Sequence, residues 1–138
     1  MAYTNADIVP AALEGENAAT PSNNFSTAYT KHIDSLASSL HPSKNWLEPP
    51  LAYALQELAR NHKIEQIIWS FDTPIAIKVN DQWLKIDDRF STTTSTRHQS
   101  QLYKLPGARS IPRDANAEEI LRVADGLMRY TGSGYVAA

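Results

Sequence analysis

"IEQIIWSFDTPIAIKVNDQWLKI", residues 64 to 86, carries the period of β structure, and the rest of the chain has to be arranged around it. Its first part, "IEQIIWSF", is rich in β-branched and aromatic residues and predicts a largely buried strand. The remainder reads as a hairpin turning at Asn80-Asp81, two residue types that tolerate the positive φ of a two-residue loop. In that register Val79 faces Gln82, Ile77 faces Leu84 and Ile75 faces Ile86, which places five of six aliphatics on one face. The other face pairs Lys78 with Trp83. A Trp beside a Lys on such a face is either a cation–π pair in solvent or a stacking platform for a base or ring, so Trp83 is the candidate stacking residue.

Outward from this block, "RFSTTT" (89–94) predicts a fourth strand, giving an antiparallel sheet of about four strands over residues 64–94. A helix over 95–105 follows, closed by Pro106-Gly107, and "ARSIPR" reads as a basic loop. The last helix covers 115–130, with Asp114 or Asn116 as cap, Glu118 and Glu119 in its first turn, and Ile120, Val123, Ala124, Leu127 and Met128 as apolar face. Upstream, Phe25, Tyr29, Ile33, Leu36 and Leu40 are spaced by three or four and predict a helix ending before "HPS". A second helix starts at Pro49-Pro50, carries Leu47, Leu51, Ala54, Leu55 and Leu58 as its stripe, and completes a helical hairpin. Residues 1–23, rich in Ala, Asn, Thr and Pro, show no sustained period and predict an extended N-terminal arm. The expectation is therefore an α+β fold: an arm over 1–23 and a single α+β domain over 24–138.

The composition excludes several kinds of chemistry. Without cysteine there are no disulfides, thiolate metal sites or cysteine nucleophiles, which fits a reducing compartment. The four histidines stand at 32, 41, 62 and 98, with no close pair of the kind a zinc site uses, so no metal or cofactor is assigned. No apolar run approaches a bilayer span, and the chain reads as soluble and cytoplasmic. The net charge of −2 is unevenly spread. Arg89, Arg97, Lys104, Arg109 and Arg113, together with His98, fall in a stretch with no acidic residue, and a local positive field is what an anionic ligand meets.

Within that stretch, "STTTSTRHQSQLY" (91–103) runs six hydroxyl residues into an arginine and a histidine. Strand propensity and helix capping alone would explain the hydroxyls. Their company points further: helix-start amides, the hydroxyls of Thr94, Ser95 and Thr96, and the side chains of Arg97 and His98 would converge as an anion site. Lys104, Arg109 and Arg113 extend the candidate phosphate-binding set.

The residues Phe71, Thr73, Ile75, Ala76, Trp83, Phe90, Ser91, Thr93, Thr94, Ser95, His98 and Gln99 follow a pattern like Y-x-T-x-I-A … Y-S-x-T-T-S-x-H-Q. Residues of about 69–105 thereby resemble an uncharacterised domain that recurs in phage and other mobile-element proteins. Phe71 and Phe90 stand where that pattern has tyrosines. The resemblance implies a viral or plasmid source, hence the cytoplasm of a bacterial host cell or association with a virion, and it brings no activity.

Three functions are open at this level. The first is a non-enzymatic accessory binding protein that contacts phosphates of nucleic acid or a nucleotide through the basic strand-to-helix segment, with Trp83 stacking. The second is a protein-contact module, a host-defence inhibitor or a virion or assembly component, using the N-terminal arm on a partner or within a homo-oligomer. The third is a hydrolase using His98 with Asp87 or Asp88, but a straight strand would hold those groups roughly 20 Å apart. No catalytic residue is assigned.

Overall fold

The computed structural model describes residues 3–29, 33–91 and 94–138. Six strands lie in one sheet in sequence order: β1 (Ala18–Ala19), β2 (Phe25–Tyr29), β3 (Ile64–Ser70), β4 (Thr73–Val79), β5 (Gln82–Asp87) and β6 (Arg109–Pro112). All neighbours are antiparallel except β5 and β6, which run parallel with Asp87 beside Pro112. A separate hairpin pairs β7 (Met128–Tyr130) with β8 (Tyr135–Ala137). The architecture is mixed α and β, with a larger sheet than the four strands expected.

The predicted hairpin forms in the predicted register, with Val79 opposite Gln82 and Ile77 opposite Leu84. Asn80 and Asp81 both take positive φ, 49° and 64°. Ile75 departs from the expected face. Ile68 pairs with Ala76 but Trp69 pairs with Pro74, so Ile75 is the extra residue of a bulge. It joins Ala76 on the opposite face, away from Ile77.

Both faces are covered. On one, α2 (Ile33–Ser39), α3 (Pro49–Arg60) and α4 (Ala117–Ala124) surround Ile67, Ile77, Val79 and Leu84. The helical hairpin of α2 and α3 is present, and buried Gln56 donates to the Ala37 carbonyl across it at 2.6 Å. On the other face, α1 (Asn5–Leu13) lays Ile8, Val9 and Ala12 over Ile68, Ile75 and Trp83, together with Leu102 and Leu105. Residues 3–23 are therefore not an extended arm. A helix with Thr4 tied to the Asp7 carboxylate opens them, the β1 strand follows, and both are spent on the chain's own sheet.

Four further expectations are corrected. Phe25–Tyr29 is a strand, because a four-residue spacing is also two strand periods and β3 supplies the hydrogen-bonding partner. Arg89–Ser91 are irregular rather than strand, since a parallel β6 requires the chain to cross over between Asp87 and Arg109. The "basic loop" is that β6 strand, with Ile111 and Pro112 buried. The C-terminal helix stops at Ala124: Gly126, at φ +76°, takes the left-handed conformation that terminates helices, and Leu127 is left exposed. Among the described residues no helix is long and apolar enough to cross a membrane.

Candidate functional site

The segment expected to bind an anion does not form an α-helix. Thr94–His98 is a single π-helical turn and Gln99–Lys104 a 3₁₀ helix. Thr93 and the side chains of Thr94 and Ser95 lie outside the described residues. Thr96 and Arg97 are exposed on the turn.

His98 points the other way. It is buried, its ring lies parallel to Phe25 with centroids 4.5 Å apart, Phe71 tilts against it at 5.6 Å, and Nδ1 is 2.6 Å from Ser70 Oγ. Burial, and secondarily the Arg97 charge, hold its pKa below the ordinary histidine value. The ring is therefore neutral near pH 7, and its hydrogen-bond partner is Ser70 rather than Asp87 or Asp88.

The other candidates separate. Lys104 donates to the Ala6 carbonyl of α1 at 3.2 Å. Arg109 donates to the carbonyls of Val123 (2.8 Å) and Ala124 (3.2 Å), placing a cation on the negative end of α4. Gly126 leaves room for this guanidinium; a Cβ there would stand 3.2 Å from Arg109 Nη1. Trp83 is 5% exposed within the second core cluster and cannot stack on a ligand, because α1 covers the face expected to meet solvent.

Arg113, by contrast, lines an open cleft. It follows the end of β6 as Arg89 follows the end of β5, and the parallel pairing brings both strand ends to one edge. Among the described residues neither guanidinium has an ion-pair partner. Together with Trp46, Glu48, Phe71 and Phe90 they line a cavity of about 480 Å³, and Ser70 joins this lining to the buried His98. Phe71, Thr73, Phe90 and Ser91, scattered in the pattern read from the sequence, come together here.

Trp46 was missed by sequence reading. It is 85% exposed, yet its backbone N–H is held by Thr73 Oγ1 at 3.0 Å and the next residue, Leu47, is buried. The only signal for it was a large aromatic between a lysine and a Pro-Pro helix start. Phe71 is held at φ +54° in the two-residue turn between β3 and β4, a conformation that costs a bulky side chain about 1–3 kcal/mol. The guanidiniums also border a second cavity of about 690 Å³, where Asp87, Asp114 and Glu119 stand beside Tyr135. Burial first, then the charge of Glu119, raises the Tyr135 phenol well above its ordinary value. Four carboxylates, those of Asp87, Asp88, Asp114 and Glu119, line that second cavity with the two guanidiniums, whereas Glu48 and Asp88 line the Trp46 side. Among the described residues no group of His, Asp and Glu could hold a metal ion.

Residues 50–118, half of the chain, match the model of a family described as "Family of unknown function (DUF8033)". No curated protein and no solved structure matches.

Proposed function

We propose, on the premise that the chain belongs to this family of unknown function, that it is a small non-enzymatic binding module for a ligand carrying both a phosphate and a planar ring, a nucleotide or a nucleic acid. The observation that carries the reading is the pair Arg89 and Arg113, free of ion pairs among the described residues, opening on a cleft walled by Trp46, Phe71 and Phe90. Guanidinium groups take phosphate oxygens two at a time, and an exposed indole offers a face to any base. The parallel strand ends supply the crevice, as they do in open sheets generally. This relocates the phosphate contacts from Thr94–His98 to the ends of β5 and β6. The resemblance of residues 69–105 supports an accessory protein of a phage or mobile element as the setting.

Retention of single-stranded oligonucleotides and nucleotides at low ionic strength tests the proposal. Binding should weaken steeply with salt and disappear in Arg89→Ala/Arg113→Ala. No retention by the wild type, or retention unchanged in the double variant, overturns it.

The docking-strap reading of the N-terminus loses its motive, because α1 and β1 complete the chain's own core.

A further inference from the structure

The cleft holds more than arginines. Glu48 lines it two residues from Trp46, and the buried Leu47 between them fixes both at its rim. Glu48 is the N-cap residue of α3, where a carboxylate ordinarily accepts from the first-turn amides. Here the first two helical residues are Pro49 and Pro50, which have no N–H, and the Glu48 side chain makes no capping bond. Among the described residues its carboxylate has no hydrogen-bond or ion-pair partner. The other carboxylate of the cleft, Asp88, is already engaged by the Arg89 N–H at 2.7 Å.

A free acceptor pair beside an exposed indole selects among rings. Guanine presents two adjacent N–H donors, N1–H and N2–H, along one edge, and these match the two oxygens of a carboxylate. Adenine and cytosine set an acceptor beside their amino donor, and uracil sets carbonyls on both sides of its single N–H, so each would turn a lone pair toward Glu48. The charges also balance: Glu48 and Asp88 against Arg89 and Arg113 make a cleft suited to one ring donating to an anion and one phosphate accepting from cations. Its volume of about 480 Å³ falls within the range of small-ligand sites.

We infer that the ligand of this cleft is a guanine bearing a phosphate, with Trp46 stacking on the ring, Glu48 accepting from its N1–H and N2–H, and Arg89 and Arg113 holding the phosphate. This rests on the phosphate reading above and adds the identity of the ring. The guanine belongs either to a free nucleotide or to an unpaired position of a strand, and the test separates the two.

Calorimetric titration of the full chain with GMP, AMP, CMP and UMP at low ionic strength is the measurement. A two-point contact of this kind discriminates by roughly tenfold to hundredfold, so GMP should lead the other three by that factor. Glu48→Gln, which replaces one acceptor by a donor, should bring GMP to near parity with AMP while leaving weak binding in place. Arg113→Ala should weaken all four alike. Equal affinity for the four nucleotides, or a GMP preference that survives Glu48→Gln, overturns the guanine assignment and leaves the phosphate site standing. No binding of any nucleotide overturns both, unless a thymine oligonucleotide containing one guanine binds where the all-thymine strand does not; that outcome assigns the guanine to a strand.

Discussion

Ser70 Oγ and His98 Nδ1, 28 residues apart in the chain, meet at 2.6 Å beside the rings of Phe25 and Phe71. Because burial holds the folded pKa of His98 below the ordinary value of about 6.5, the unfolded chain takes up the proton more readily. The contribution of this pair is then complete above that value and is lost as pH falls through the lowered folded pKa. The melting temperature should therefore drop on going from pH 8 to pH 5, and His98→Gln should flatten that drop. An identical pH profile in wild type and variant would show that His98 does not titrate on unfolding.

Trp46 and Trp83 should part company under substitution. Trp83→Ala empties a filled position of the second core cluster and should cost about 3–5 kcal/mol of stability. Trp46→Ala removes an exposed ring and should change stability by less than about 0.5 kcal/mol while abolishing ligand binding. Denaturant unfolding and ligand titration of both variants would read this out.

Arg109 and Arg113 should divide in the same way. Arg109→Ala strips two carbonyls at the end of α4 of their donor and should lower stability by about 1–3 kcal/mol. Arg113→Ala, which loses no ion-pair partner among the described residues, should leave the unfolding midpoint unchanged and reduce the slope of binding affinity against salt.

Ile8, fully buried under the sheet, tests the role of α1. Ile8→Ala should cost about 2–5 kcal/mol. Were this helix a strap for a second chain, the melting temperature would rise with protein concentration; packing on its own core predicts a midpoint independent of concentration.

The hairpin at Asn80-Asp81 and helix α3 were legible because alternation and the Pro-Pro start are local signals that tertiary contacts did not oppose. Phe25–Tyr29 was misread because its spacing satisfies two periods, and only the distant β3 decides between them. The candidate site was legible in its residue types but not in its membership. Arg109 and Arg113 look alike in sequence, and the parallel placement of β6 sends one to α4 and the other to the cleft. Trp83 was given to solvent because nothing in residues 1–23 announced a helix that would cover it.

The pairing of β5 with β6 has a kinetic side. Leu84 lies beside Arg109, so this edge closes a long loop, whereas the β3–β4–β5 meander needs only tight turns. Loop-closure entropy delays such contacts, and a four-residue outer strand is also among the first to fray. Arg113 hangs from that strand. This edge therefore opens more readily than the β3–β4–β5 meander, and amide exchange along residues 109–111 would report how often the proposed cleft is lost while the rest stays folded.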